Sequence, residues 1–220
     1  MPRVRGRCLA SKILIVDEAY RLYQEIDERL LSDPEPDRFF AGLRNPVFER
    51  EYPFTMLYAL KTVPQSPVYH PEGSVWNHTM LVLRQVAKRK AQSKNPHVLL
   101  WAALLHDIGK AETTKRRKGK VTAYDHDKVG ALRAGEFLHC FTDDQLFLSL
   151  VMALVRWHMQ VLYVVRKLPF ADIPGMMEQV DVKEIALLGL CDRLGRLGAD
   201  QRKVEEDIRA FLDIVQRSRG

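Results

Sequence analysis

Residues 96–110 read PHVLLWAALLHDIGK, and this is the most informative stretch of the chain. An uninterrupted apolar run, residues 98–105, leads directly into the pair His106-Asp107. Proline is tolerated in the first turn of a helix and glycine is favoured just past its end, so we predict a helix from Pro96 to Gly109. The apolar run is far shorter than the roughly 20 residues that span a bilayer, and it ends abruptly in charge.

Most of the remaining chain also shows apolar residues at the spacing of a helix face. The predicted helices cover residues 16–31, 38–43, 52–60, 74–89, a segment capped by Asp125, 145–165, 182–197 and 200–215. Residues 61–74 contain three prolines and are predicted to form an extended, ordered loop. No segment alternates with period two over the length of a strand, so the predicted fold class is all-α.

Length and composition favour one compact domain with a helical extension. The chain has 220 residues, of which 46% are hydrophobic and 28% are charged, values that are ordinary for a globular protein. We divide it into an N-terminal helical extension, residues 1–52, and a main domain, residues 53–220. The apolar face of the helix predicted over residues 16–31 suits core packing, the commoner use, a homodimer interface or the docking of another protein.

Charge and cysteine content indicate the kind of partner and the compartment. The net charge of +6 suits a phosphate-bearing or nucleic-acid partner without identifying one. The densest basic run, KRRKGK at residues 115–120, is predicted to be a solvated loop, with phosphate steering as the alternative. The three cysteines form no CxxC pair, and no signal peptide or membrane span is recognised, so we expect a cytoplasmic location and no membrane partner.

Histidines and acids next to apolar runs indicate a metal site. A single histidine on a helix is more often a hydrogen-bonded core or surface residue, but here several fall in the same kind of setting. A buried ionised carboxylate is costly unless it is paired or bound to a cation, and imidazole with carboxylate suits a divalent metal ion. The residues in question are His78, His106, His126, His158, Asp107 and Asp192.

The order His78, His106-Asp107, Asp192 resembles the HD superfamily of metal-dependent phosphohydrolases. The similarity is closest to the HD domain of bacterial CCA-adding tRNA nucleotidyltransferases and covers roughly residues 53–200. Four stretches carry it: VPQSPVYHPEGSVWNHTM (63–80), LLHDIGKAETT (104–114), YDHDKVGA (124–131) and LVRWHM (154–159). The implied fold is an HD-domain helical bundle.

This resemblance implies that His78, His106, Asp107 and Asp192 bind a divalent metal ion. It also implies that His126 and His158 line the same pocket, where they would hold a second ion bridged by Asp107. One or two ions, and Mn, Ni, Co, Mg, Fe or Zn, all remain open. The roughly 50 residues before the match read as helical, so we expect an HD domain without the nucleotidyltransferase head.

The implied reaction is hydrolysis of a phosphoester of a nucleotide or RNA end by a metal-bound water. A 2′,3′-cyclic phosphodiesterase, a nucleotidase and a phosphatase are the specific forms. The alternative is a non-catalytic nucleotide-sensing or RNA-binding regulatory module with the same fold.

Four residues are the candidates for acting on the substrate. Asp107 would orient or deprotonate the water, and Lys110 would reach a phosphate unless it only complements a helix dipole. Arg193 and Arg196 offer bidentate phosphate contacts, although Arg196 could instead pair with Asp192 or Glu184. The remaining histidines (His70, His97 and His139) are predicted to be structural or exposed.

Overall fold

The computed structural model describes the backbone of residues 5–218 and the side chains of residues 17–218. The regular structure of this part of the chain is helical apart from one hairpin and an isolated bridge between Pro64 and Ser74, and it includes one 3-10 turn, Lys90–Gln92. The helices are α1 Arg5–Ser32, α2 Pro36–Gly42, α3 Pro46–Arg50, α4 Phe54–Ala59, α5 Val75–Ala87, α6 Pro96–Leu105, α7 Lys110–Thr113, α8 His126–His139, α9 Gln145–Trp157, α10 Gln160–Val165, α11 Ile173–Gln179, α12 Val182–Leu194 and α13 Gln201–Arg217. The hairpin pairs β1, Thr114–Arg117, with β2, Lys120–Ala123, in antiparallel register.

Several helices begin where a side chain accepts a hydrogen bond from a free backbone N–H. Ser74 Oγ accepts from the N–H of Asn77 at 3.2 Å at the start of α5. Asp144 does the same for Phe147 at the start of α9. The prediction that Asp125 caps α8 is wrong, because its backbone is left-handed with φ 57° and its side chain makes no capping bond.

Helix α6 lies at the centre of the core, and every residue of 98–105 is buried. It packs against α5, α9, α12 and α1, while α8 packs along α9 and α13 along α12. The all-apolar circumference of α6 is what a helix surrounded by other helices requires.

Helix α1 covers one side of this core. Its apolar stripe, including Leu22, Tyr23 and Ile26, is buried. The Tyr23 ring stacks on Trp101 with centroids 5.2 Å apart. Asp27 Oδ1 accepts hydrogen bonds from Trp101 Nε1 and His97 Nε2, both at 2.6 Å. The predicted extension therefore shares the hydrophobic core of the rest of the chain.

The structure corrects the predicted loop at residues 115–120, which forms the hairpin. Its turn residues Lys118 and Gly119 both have positive φ, 48° and 77°, the geometry of a tight two-residue hairpin turn. Each strand has only four residues, too few to show alternation in the sequence.

The helix predicted over residues 145–165 is also corrected. The segment Gln145–Val165 is long and apolar enough to cross a membrane by composition alone, yet half of its most apolar window is buried inside the fold. It divides into α9 and α10, because the chain leaves the helix at His158 and Met159. Pro174 lies in the first turn of α11, where proline is tolerated.

Candidate metal centre

Three histidines lie at helix ends and are oriented in the same way. His106 follows the last residue of α6, His126 is the first residue of α8, and His158 follows the last residue of α9. Each ring donates its Nδ1–H to the carbonyl three residues earlier, at 2.8 Å for His106 and 2.7 Å for the other two. Each Nε2 therefore keeps a free lone pair, as in metal-binding histidines.

These three Nε2 atoms converge on the carboxylate of Asp107. One oxygen, Oδ2, lies 3.3 Å from His106 Nε2. The other, Oδ1, lies 3.5 Å from His126 Nε2 and 3.8 Å from His158 Nε2. Adjacent residues diverge on a helix, but His106 and Asp107 meet because α6 ends at Leu105 and they lie in the following turn.

His78, on α5, lies between two carboxylates. Its Nε2 is 2.9 Å from Asp192 Oδ1 on α12, and its Nδ1 is 2.9 Å from Glu72 Oε1. The ring packs edge-on against His106 with centroids 5.5 Å apart. The structure thus brings the six predicted ligands into one buried cluster.

The donor set fits divalent metal ions. In the sets His78/His106/Asp107 and Asp107/His126/His158, one ligand atom per residue lies within 4.8 Å of the others. Asp192 belongs to neither set, but its Oδ1 lies 2.9 Å from Nε2 of His78, a member of the first set. Buried His106 Nε2 has no hydrogen-bond partner among residues 17–218, a costly state that a cation would relieve.

The protonation states also suit metal binding. Burial lowers the pKa of His126, and it lowers the pKa of His158 to about 3 with help from the neighbouring histidines. Burial alone would raise the pKa of Asp107 and Asp192. Lys110 beside Asp107, Arg196 beside Asp192 and the surrounding histidines together outweigh burial and hold the pKa of each carboxyl well below its usual range. Neutral imidazoles at His126 and His158 next to ionised carboxylates are the forms that bind metal. His78 differs, because Asp192 and Glu72 outweigh its burial and raise its pKa.

Comparison of the chain with models of protein families shows to which family this arrangement belongs. The model of the HD domain matches residues 75–196, from the start of α5 to just past α12. This chain belongs to the HD domain family.

The HD protein also aligns with bacterial relatives named multifunctional CCA proteins. It is 29% identical over 202 residues to that of Pasteurella multocida, covering 88% of this chain and 46% of the relative. With the protein of Aromatoleum aromaticum it shares 31% identity over 214 residues, or 90% of this chain and 50% of the relative. The chain thus spans about half the length of the curated relatives it matches, and the resemblance found in the sequence is confirmed.

The buried His/Asp cluster of this HD protein forms the floor of a cavity of about 660 Å³. Asp107, His126, His158 and Asp192 reach it from the cluster. Its walls carry the cations Lys110, Arg166, Arg193 and Arg196. A basic cavity above an acid–histidine floor is suited to an anionic ligand.

The three predicted substrate-binding cations line this cavity but also have protein partners. Lys110 Nζ lies 2.7 Å from Asp107 Oδ2. Arg193 pairs with Asp207 at 2.5 Å. Arg196 Nη2 lies 3.4 Å from Asp192 Oδ2, which realises one of the two pairings that the sequence left open. Their contacts to phosphate stay predictions.

Three residues of the cavity or cluster were not predicted from the sequence: His70, Glu72 and Arg166. His70 was predicted to be structural or exposed, but it lies half-buried in the cavity wall with Nδ1 2.9 Å from Glu72 Oε1. Glu72 Oε1 contacts His78 as well, so this carboxylate joins the two rings. The spacing of His70, Glu72 and His78 within one segment was the available signal. For Arg166, the sequence contains no signal of a role in the site beyond the positive charge of the residue.

Proposed function

We propose that this HD protein is a metal-dependent phosphohydrolase acting on a phosphoester of a nucleotide or RNA end. The observation that carries the proposal is the convergence of three Nε2 lone pairs on Asp107 in the floor of a basic cavity. The resemblance to CCA-adding tRNA nucleotidyltransferases supports a nucleotide or RNA end. Cyclic phosphodiester and phosphomonoester substrates are both compatible with it.

Residues on the floor of the cavity and residues on its walls have different proposed roles. A divalent ion held by the histidines and Asp107 would supply an activated water and neutralise phosphoryl charge. Lys110 and the neighbouring histidines keep Asp107 ionised, so that this carboxylate is in the form that binds cations and orients a water. Buried donors of Arg193 (Nη2) and Arg196 (Nε) have no partner among the described residues, which favours an anionic group beside them.

The test is hydrolysis by metal-stripped protein to which Mn, Ni, Co, Mg, Fe or Zn is returned singly. The substrates are a 2′,3′-cyclic nucleotide, a generic phosphodiester and a nucleoside monophosphate. Asp107→Asn is compared with Asp125→Asn, an exposed carboxylate outside the cluster. Circular dichroism is the check that both variants are folded.

Turnover that requires an ion and is lost only in Asp107→Asn would support the proposal. Ion binding without turnover on any of these substrates would reject it. If a nucleotide still bound under those conditions, the non-catalytic nucleotide-sensing module would replace it.

A further inference from the structure

The β1–β2 hairpin carries a dense, unneutralised positive charge. Every residue of the run 115–120 is exposed. Its five cations make no ion pair with any residue in the described part of the chain, although neighbouring charges such as Lys110, Glu112 and Lys128 are all paired. The charge of the hairpin is therefore available to an external partner.

The basic surface of the hairpin adjoins the wall of the cavity. Thr114, Val121, Thr122 and Ala123 of the hairpin line the cavity, and all of these except Thr122 lie on one face of the ribbon. Arg116 lies opposite Val121 and two residues after Thr114, so it shares their face of the ribbon. Lys120 lies three residues before Ala123, or about 10 Å further out at the rise of a strand. The hairpin thus extends a basic surface away from the metal cluster.

The hairpin has features that are unfavourable in the free protein. Arg117 and Lys120 are directly opposite each other, and like charges in that position repel. Lys118 adopts a left-handed backbone with φ 48°, which is disfavoured for a residue other than glycine. A polyanion placed along the hairpin would remove the repulsion.

Two exposed tyrosines border the same cavity. Tyr69 lines it and is 68% exposed, and Tyr124, which follows cavity residue Ala123, is 70% exposed. They come from different segments, the loop before α5 and the end of the hairpin. Exposed aromatic rings beside cations are the combination on which single-stranded nucleic acids bind, with bases stacked and phosphates neutralised.

We infer that the hairpin and the two tyrosines form a binding surface for a single-stranded polynucleotide whose end enters the cavity. This inference rests on the proposed function and specifies its substrate class. The hairpin cations contact backbone phosphates that precede the end, and Tyr69 and Tyr124 stack on bases near it. A mononucleotide in the cavity does not extend to the tip of the hairpin, so the surface discriminates chains from monomers.

The test compares a neutralised hairpin with a matched neutralised surface. The hairpin variant is Lys115→Gln/Arg116→Gln/Arg117→Gln/Lys120→Gln. The control removes four exposed cations that do not line the cavity, Lys88→Gln/Lys203→Gln/Arg209→Gln/Arg217→Gln. Binding of a fluorescent oligouridylate is measured by anisotropy over a range of salt concentrations. Hydrolysis is measured on the same oligomer ending in a 2′,3′-cyclic phosphate and on 2′,3′-cyclic UMP.

The hairpin variant is expected to bind the oligomer at least about tenfold more weakly than the control variant. Its log–log salt slope should be flatter by roughly 0.7 for each phosphate that the hairpin no longer neutralises. Hydrolysis of cyclic UMP should be unchanged. Tyr69→Leu and Tyr124→Leu should each weaken oligomer binding at least about fivefold.

Equal oligomer binding by the hairpin and control variants would overturn the inference, whether or not the protein hydrolyses cyclic UMP. Absence of hydrolysis with hairpin-dependent oligomer binding would instead overturn the proposed function and leave the surface in place. If the fourfold variant unfolds, Arg116→Gln/Arg117→Gln gives the same comparison with two charges.

Discussion

His126 Nε2 and His158 Nε2 lie 3.3 Å apart, although neither nitrogen is required to carry a proton. Both rings donate Nδ1–H to a backbone carbonyl, and burial lowers the pKa of both. Two lone pairs at this distance are unfavourable unless a proton or a cation lies between them. Asp107 Oδ1 lies on the same side of the pair, which makes a metal ion the better match.

We expect the protein to bind two divalent ions, with Asp107 shared between them. His158→Gln should then retain one ion, because it removes a ligand from the set Asp107/His126/His158 only. His139→Gln, which alters an exposed histidine at the end of α8, should retain two. Metal content after dialysis and calorimetric titration give the stoichiometry. One ion in the unaltered protein would contradict the prediction.

Asp27 should make the stability of the fold depend on pH. Burial alone would raise its pKa, but hydrogen bonds from His97 and Trp101 outweigh burial and lower it. The stabilisation is therefore complete above the usual carboxyl pKa near 3.9 and is lost as the pH falls through the lowered value. Asp27→Asn should cost about 1 kcal/mol at neutral pH, and this cost should shrink as the pH drops below about 4.

Urea denaturation at a series of pH values measures this effect. Asp17→Asn, an exposed carboxylate on the same helix, should change the free energy of unfolding little at any pH. A cost of Asp27→Asn that is independent of pH would show that the lowered pKa does not contribute.

Gly109→Ala should disrupt both the fold and the metal cluster. A Cβ at Gly109 would lie 2.2 Å from the carbonyl oxygen of His126 and 2.5 Å from the backbone nitrogen of Gly130. Backbone atoms cannot rotate away, so α8 would have to move and carry His126 with it. We expect a loss of about 3 kcal/mol in the free energy of unfolding, at the upper end for overpacking, and weaker metal binding.

Gly42→Ala is the matched control, because an added Cβ there meets nothing within 4 Å. Its unfolding free energy should change by less than about 0.5 kcal/mol. If both substitutions were equally mild, the close approach at Gly109 would not constrain the fold.

Arg166 should contribute to binding an anionic substrate. It lines the cavity and makes no ion pair with the described residues, in contrast to Arg193 and Arg196. If the proposed function holds, Arg166→Gln should raise KM about tenfold, as expected when one charge-assisted hydrogen bond is removed, and leave metal content unchanged. Lys167→Gln alters the exposed neighbour outside the cavity and should leave KM unaltered. An equal rise in KM for both variants would show that the effect comes from the net charge of the protein and not from Arg166 itself.

The helical class could be predicted from the local apolar pattern, and the members of the buried His/Asp cluster from residue type together with the resemblance to the HD superfamily. The sequence could not predict that His158 ends α9, because residues 145–165 are apolar at helical spacing throughout. The break depends on tertiary packing and on the bond from His158 to the Val155 carbonyl. The hairpin was missed because its strands are short and its turn needs Lys118 at positive φ, which composition does not reveal.

The bonds from His106, His126 and His158 to carbonyls three residues earlier have a consequence for how the centre is loaded. These three candidate ligands are held in place by the ends of their own helices, so their part of the site would be assembled when the chain folds, without an ion. Metal can then enter and leave a finished protein. A chelator should then empty an ion-loaded centre without unfolding the chain, and supply and exchange rather than a folding requirement would set which ion the centre holds.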